Sequence, residues 1–155
     1  MERKYKIKFP NKVDYKQEEG RTRAFLNEPR NRELTKTFTF LYEYQPETAS
    51  KLAKIMSYIY HIEYSSSRVH YFLERLEKMG LVNSKNLIEA SSEESDIDIE
   101  IRRKFSSNYE IPANFANRLK ITRFYYVTEF GEKFIPWAAE IMGFEVEEVK
   151  TDEKV

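Results

Sequence analysis

The apolar residues in the middle of the chain recur with the spacing of an α-helix. Leu34, Phe38 and Leu41 lie at i, i+4 and i+7, which places them on one helical face. Residues 35–40 also alternate with period two, so a strand stays open as an alternative there. The element is expected to end before Pro46, because the residue ahead of a proline disfavours helical geometry.

Two further amphipathic helices are predicted next. The first is capped by Thr48 or Ser50, and its apolar residues at i, i+3, i+4 and i+7 are Leu52, Ile55, Met56 and Ile59. The second follows three serines at 65–67, and its apolar residues with the same spacing are Val69, Phe72, Leu73 and Leu76. Gly80 stands where a left-handed residue ends a helix, and residues 81–82 begin an extended segment.

The second half of the chain has polar loops and strand-like runs. Residues 84–96 are polar and acidic, and they predict a loop. Ile97, Ile99 and Ile101 alternate with charged residues, which is typical of a strand. After a turn rich in Asn and Ser, residues 119–127 predict a returning strand, since they are β-branched and aromatic.

A closing helix is predicted over residues 129–142, after a capping Thr128. Pro136 either kinks this helix or begins a second one, where its missing N–H is harmless. Gly143 ends the helix and leaves a polar tail.

The order of these elements resembles a winged helix-turn-helix domain. Three stretches carry the resemblance, FLYEYQPETASKLA at 40–53, SSSRVHYFLERLEKMGLV at 65–82 and FYYVTEFGEKFI at 124–135. The first is similar to the passage from helix 1 to helix 2 in many bacterial and archaeal regulators. The second is similar to their recognition helix, and the third to the strand that returns from the wing. The resemblance implies an α+β fold with a three-helix core, a β-hairpin wing and an extra C-terminal helix.

This reading divides the chain into an arm, one domain and a tail. Residues 1–32 are charged, contain helix breakers and predict a basic N-terminal arm or extension. Residues 33–143 form the winged helix domain, with a long wing or insert at 84–118 and the closing helix at its end. Residues 144–155 form an acidic tail.

The charge of the chain bears on its partners. There are 26 basic and 26 acidic side chains among 155 residues, and a net charge of zero at first argues against nucleic acid. The charges are segregated, however, because residues 1–36 and 102–139 are basic while 84–101 and 140–155 are acidic. At physiological salt the Debye length is ~8 Å, so a partner responds to the nearest patch. Zero net charge therefore lowers the expected non-specific affinity without excluding DNA.

The resemblance implies that the second helix of the pair enters the major groove. Its outward residues that can reach bases or phosphates are Ser66, Ser67, Arg68, His70, Tyr71 and Arg75. Arg68 is able to donate two hydrogen bonds to a guanine edge. The predicted hairpin adds a basic ribbon suited to the minor groove or the backbone, formed by Arg102, Arg103, Lys104, Arg118 and Lys120. Each set is also open to interpretation as a solvated charged surface.

The apolar residues of the closing helix recur at spacings of four, three and four, which is typical of a helix-pairing seam. These residues are Phe130, Phe134, Trp137 and Ile141. Regulators of this kind often pair through such helices, which implies a homodimer. The alternative is that Trp137 covers the core of its own domain.

Catalytic, metal and cofactor sites are not expected. The chain has no cysteine and two histidines, His61 and His70, which lack the spacing of usual metal sites. Its four glycines are scattered, so no phosphate-binding loop is predicted. No apolar run approaches the ~20 residues of a membrane span, and the N-terminus lacks the apolar region of a signal peptide. We therefore expect a cytoplasmic protein without membrane association, and its abundance of Lys, Glu, Ile and Tyr favours a thermophilic source.

The sequence-based hypothesis is a homodimeric transcriptional regulator that binds double-stranded DNA sequence-specifically and is not an enzyme. Two alternatives stay open. The first is a winged-helix protein-interaction module whose acidic segments contact a basic partner. The second is an accessory factor for plasmid or viral DNA replication.

Overall fold

Helices surround a small antiparallel sheet in this α+β protein. The computed structural model describes residues 15–91, 95–108 and 122–146. In chain order the elements are α1 (Tyr15–Asn27), a 3-10 turn (Pro29–Asn31), α2 (Arg32–Tyr44), α3 (Ala49–Tyr60), α4 (Ser66–Lys78), β1 (Val82–Asn86), α5 (Leu87–Ser91), α6 (Asp96–Asn108), β2 (Arg123–Val127), α7 (Glu129–Glu132) and α8 (Ile135–Ile141).

The main core lies where α2, α3 and α4 meet. Their predicted apolar faces point at one another, and the fully buried residues include Phe38, Leu41, Leu52, Met56, Val69, Leu73 and Leu76. In α2 the helical spacing prevails over the alternating one. Thr35 and Thr37 are buried there, and the hydroxyl of each donates a hydrogen bond to a backbone carbonyl. Thr37 Oγ1 donates to the carbonyl of Glu33 at 2.8 Å.

Residues 15–31 form α1 and the 3-10 turn, and part of this segment packs on the core, so the structure differs here from the predicted arm. Leu26 of α1 is fully buried in the core cluster. Its carbonyl accepts a hydrogen bond from Thr35 Oγ1 at 2.9 Å, and Asn31 Nδ2 donates to the carbonyl of Phe25 at 2.9 Å. The sequence pattern indicates α1 only weakly, because Gly20 interrupts a mostly polar helix. Residues 1–14 of the predicted arm lie outside the described residues.

The predicted start signals of α3 and α4 and the predicted end signal of α4 are confirmed. The hydroxyl of Thr48 accepts a hydrogen bond from the backbone N–H of Lys51 at 3.2 Å and caps α3. Ser65 caps α4 in the same way. Gly80 has a φ of 79°, and the next residue, Leu81, returns its N–H to the carbonyl of Leu76 at 3.0 Å.

The sheet brings three chain segments together. β1 and β2 are antiparallel, with Val82 opposite Val127. Between α2 and α3, Glu47 exchanges two backbone hydrogen bonds with Tyr125 of β2, at 3.0 and 2.8 Å. The predicted returning strand is therefore confirmed for residues 123–127. This arrangement of helices and sheet is compatible with a winged helix.

The strand predicted around Ile97, Ile99 and Ile101 is wrong, because these residues lie in α6. Ile97, Ile101 and Phe105 stand at i, i+4 and i+8, and this helical stripe packs against Phe124 of β2 in a second core cluster. Ile99 points away and is 52% exposed. The partner of β2 is β1, so the predicted hairpin with residues 97–104 as one strand does not form.

The predicted acidic loop at 84–96 is also partly wrong, because residues 84–86 belong to β1 and residues 87–91 form α5. A buried ion pair fixes the following helix to the sheet, with Lys85 Nζ 3.1 Å from the carboxylate of Asp98, which is fully buried. Burial by itself would raise the pKa of Asp98, but hydrogen bonds from Ser95 and Lys85 hold that pKa below its ordinary value.

The C-terminal helices close over the end of α4. Pro136 lies in the first turn of α8, so it begins a second helix, as one of the two predicted alternatives stated. The hydroxyl of Thr128 donates to the carbonyl of Gly80 at 2.7 Å and accepts from the N–H of Gly131 at 2.9 Å. Gly131 then lies against Leu81 so closely that an added Cβ would be 2.1 Å from the Leu81 carbonyl oxygen.

We predict that Gly131→Ala lowers the free energy of unfolding by about 3 kcal/mol or more, because its methyl group would collide with backbone rather than with a movable side chain. Gly20→Ala is the matched control, since an added Cβ on α1 meets nothing within 4 Å. That change should raise the free energy of unfolding by about 0.5–1 kcal/mol. Urea unfolding followed by circular dichroism measures both values, and a Gly131→Ala protein as stable as the parent would contradict the prediction.

Candidate nucleic-acid interface

The face of α4 that points away from the core carries all six residues predicted for DNA contact on this helix. Val69, Leu73 and Leu76 take the buried side, which turns the other positions toward solvent. Five of the six predicted residues are exposed and Arg75 is half-buried; the six are Ser66, Ser67, Arg68, His70, Tyr71 and Arg75. The structure thus brings this set together on one helix, and its role in DNA binding stays a prediction.

The N-terminal turn of α4 is exposed and carries a cation. The cap is supplied by Ser65, whose hydroxyl accepts from the N–H of Arg68 at 3.1 Å. The Arg68 guanidinium lies 5.4 Å from the ring centroid of Phe72, and no described carboxylate forms an ion pair with it. An exposed arginine with this freedom is able to turn its fork of donors to a base edge or a phosphate.

Arg75 lies one helical turn further on and is held by aromatic rings. Its guanidinium is 5.3 Å from the ring centroid of Phe25 in α1 and 5.8 Å from that of Tyr71. Because α1 runs beside this end of α4, the two helices enclose an open groove of about 540 Å³, whose lining includes Arg21, Arg75 and Lys78.

Sequence reasoning missed two of these groove residues. Arg21 was assigned to the arm, although it precedes Phe25 by four residues, a spacing that places both on one side of a helix. Lys78 follows Arg75 by three residues on α4 and is exposed. The missing signal was the helical character of residues 15–27.

A carboxylate interrupts the basic character of the α4 face. Glu74 lies 3.6 Å from Nε2 of His70, and both side chains are about half exposed. An exposed pair of this kind contributes little to stability. Its negative charge nevertheless lies between Arg68 and Arg75 in the sequence of the helix, where it opposes the approach of phosphate.

Tyr125 of β2 forms the buried support beneath this face. Its ring lies 6.1 Å from the His70 ring in an edge-to-face arrangement, and only 1% of the residue is exposed. Burial, followed by the charges of Glu77 and Glu74, raises the pKa of Tyr125 to about 12. The phenol is therefore neutral at physiological pH.

The predicted basic ribbon does not form, because three of its residues lie on α6, where two of them bond within the helix. Arg103 forms an ion pair with Glu100, one turn away. Arg102 Nε lies 3.4 Å from the carbonyl of Asp98. Two further predicted residues, Arg118 and Lys120, lie outside the described part of the chain.

Lys104, the third ribbon residue on α6, points into the protein. Its Nζ donates to the carbonyl oxygens of Tyr44 and Pro46, the latter at 2.7 Å, and lies 3.5 Å from the carboxylate of Glu47. The side chain is only 16% exposed. This lysine therefore joins α6 to the connection between α2 and α3 and is not placed to meet a phosphate.

The residues predicted as a dimer seam pack largely within their own chain. Phe134 is 1% exposed, and its ring contacts that of Phe130 at 5.1 Å. Trp137 Nε1 donates to the carbonyl of Arg23 in α1 at 3.3 Å, and Ile141 packs against the core cluster. These contacts agree with the alternative in which Trp137 covers its own domain. A homodimer stays a prediction, but these residues form no exposed seam.

Within residues 15–91, 95–108 and 122–146, no cluster of three or more His, Asp or Glu side chains is arranged to hold a metal. In the same ranges, none of the helices has both the length and the apolar character of a membrane span. Comparison with protein families, with curated proteins and with solved structures finds no match for this chain.

We predict that alkali destabilises the protein through Tyr125. Its pKa is near 10.0 when unfolded and about 12 when folded, so the unfolded state loses the proton first. The contribution is fully present below pH 10 and is lost as the pH rises toward 12. Between about pH 9 and about pH 11.5, the free energy of unfolding should fall by about 2 kcal/mol more in the parent than in Tyr125→Phe.

Tyr125→Phe keeps the buried ring and removes only the ionisable group, and the other tyrosines titrate in both proteins. Urea unfolding at the two pH values gives the difference between parent and variant. Equal losses in the two proteins would show that Tyr125 has the same pKa in the folded and unfolded states.

Proposed function

We propose that this chain is a winged helix-turn-helix protein that binds duplex DNA through α4 and regulates transcription. The observation that carries the proposal is the exposed, serine-capped N-terminal turn of α4, with Arg68 free of ion pairs to described residues. The remainder of α4 is anchored by its buried apolar face and by the sheet that follows it. A rigid helix with an exposed polar N-terminal turn is the geometry that a major groove accepts.

Cations around α4 supply phosphate contacts in this proposal. On α3, which precedes α4 and would cross the DNA backbone, Lys51 and Lys54 are exposed. On the other side, Arg21 and Lys78 line the groove between α1 and α4. Base contacts are assigned to Arg68, and phosphate contacts to these four residues and Arg75.

A second candidate function is a protein-interaction module, and one observation favours it. Large apolar residues are exposed at the end of α3 and in the turn to α4, with Tyr58 81% exposed, Ile62 59% and Ile59 43%. Exposed large apolar side chains that are close in sequence are candidates for a surface that meets another protein. A protein partner bound there would be sensitive to Tyr58→Ser and Ile62→Ser, whereas DNA binding through α4 would respond to arginine changes.

We predict that Arg68→Ala weakens specific DNA binding by about 1–3 kcal/mol and relaxes the preference for one base pair, because a bidentate base contact is lost. Arg75→Ala should weaken binding to all sequences and reduce the salt dependence by about one phosphate contact. The DNA is first selected from a random pool with the parent protein. Fluorescence anisotropy at several salt concentrations then measures each affinity.

Arg103→Ala is the matched control, because this exposed arginine lies on α6 and pairs with Glu100. It should leave the affinity unchanged. The proposal fails if the parent selects no DNA at low salt, or if Arg103→Ala weakens binding as much as Arg68→Ala does. Urea unfolding of each variant separates lost contacts from lost folding.

We also predict that Glu74→Gln strengthens non-specific DNA binding, because it removes a carboxylate from the face that meets phosphate. The gain should be a few-fold at low salt and should shrink as salt is added. Glu129→Gln, an exposed change on α7, is the control for the loss of one negative charge. Equal gains in the two variants would mean that net charge acts rather than the position of Glu74.

A further inference from the structure

A second concave site lies away from the exposed face of α4. A cavity of about 600 Å³ opens between α2, the helices α7 and α8, and the segment 144–146. This volume is in the range of small-molecule sites in proteins. No residue that lines it belongs to α4, so the cavity is separate from the proposed DNA interface.

Aromatic rings form much of the cavity wall. The rings of Phe40 and Tyr44 stack with centroids 6.4 Å apart and an interplanar angle of 12°. Phe144 meets Phe40 edge to face, with centroids 6.0 Å apart. Tyr42 also lines the cavity. The face of an aromatic ring attracts a cation, so ring faces at the wall favour a cation whose surface is itself apolar.

The charged residues of the wall all have one sign. Glu43, Glu132 and Glu145 line the cavity, and none of the described residues that line it is Lys, Arg or His. Tyr42 donates its hydroxyl to the Glu132 carboxylate at 3.1 Å, which fixes one carboxylate at the wall. Burial, and then this hydrogen bond, raises the pKa of Tyr42 above its ordinary value, so the phenol stays a neutral donor.

We propose that this cavity binds a monovalent, lipophilic organic cation, such as a quaternary ammonium or phosphonium ion. Three carboxylates with no compensating cation among the described lining residues favour a positive ligand. The aromatic and aliphatic wall favours a ligand that is weakly hydrated and apolar. A divalent metal ion fits poorly, because it requires a cage of oxygen ligands in place of its water shell.

The experiment compares two ions of the same shape and opposite charge. Tetraphenylphosphonium and tetraphenylborate are titrated separately into the full-length chain by isothermal titration calorimetry. Both present the same apolar surface, so the comparison isolates the effect of the charge. The phosphonium ion should bind with one-to-one stoichiometry, and the borate ion should bind at least about tenfold more weakly.

The carboxylates are tested with the double variant Glu43→Gln/Glu132→Gln, which keeps the side-chain shape and leaves an acceptor for Tyr42. Its affinity for the phosphonium ion should fall about tenfold, and the remaining affinity should depend less on salt. Glu140→Gln is the control, because Glu140 is exposed on α8 but does not line the cavity. Phe144→Ala should also weaken binding, because it removes one aromatic wall.

Three results would overturn the proposal. The first is no binding of the phosphonium ion at any salt concentration. The second is equal or tighter binding of the borate ion, which would identify an apolar surface for a second copy of the chain or for another protein. The third is an effect of Glu140→Gln on the binding free energy that is half or more of the effect of the double variant, which removes two charges; this would assign the selectivity to net charge. Because the assay contains no DNA, each result is independent of the proposed DNA binding.

Discussion

The close approach of α7 to the chain that leaves α4 is the constraint on which the rest of the structure depends. Gly131 packs directly on the backbone of Leu81, and Thr128 bonds to Gly80 and caps α7 at the same point. These contacts join the end of α4, the start of β1 and the end of β2 within a few residues. Because the junction is made of backbone, it fixes the direction of α4 more firmly than side-chain packing alone. It also directs α8 back across α1 and α2, where its apolar residues complete the core.

The same junction explains why the segment between the two strands is able to be long. β1 and β2 are held in register from Val82 to Asn86 without a tight turn between them. Between them, α6 is secured separately, by the Lys85–Asp98 ion pair and by Lys104 on the carbonyls of the α2–α3 connection. The acidic residues of this region are thus partly structural. Asp98 neutralises a lysine of the sheet in a buried site, so it is unavailable to a basic partner.

The sequence predicted α2, α3 and α4 well because each helix has a single buried face and a local stop or cap signal, such as Ser65 or Gly80. The prediction of a strand failed at α6 because residues 97–101 fit both the two-residue period of a strand and the i, i+4 spacing of a helix. Ile97, Ile99 and Ile101 alternate, but the residue that decides the matter is Phe105, which continues the helical stripe toward Phe124 on β2. That contact is long-range and cannot be seen in a short window. The groove residue Arg21 was missed for a related reason, since α1 contributes Leu26 and few other side chains to the core and has little periodicity to detect.

The zero net charge of the chain is better understood from where its charged side chains lie in the structure. On α6, Arg103 and Lys104 lie beside the carboxylates of Glu100 and Glu47, which offset much of their long-range positive field. On α4 the cations Arg68 and Arg75 are accompanied by Glu74. If α4 meets DNA, as proposed, non-specific attraction is weak and the affinity must come from donors that match a particular site. The carboxylates around the aromatic cavity lie on α2, α7 and the segment after α8, and no residue of α4 lines that cavity. The zero net charge is therefore the sum of basic and acidic regions in different surroundings, and it does not indicate what any one region binds.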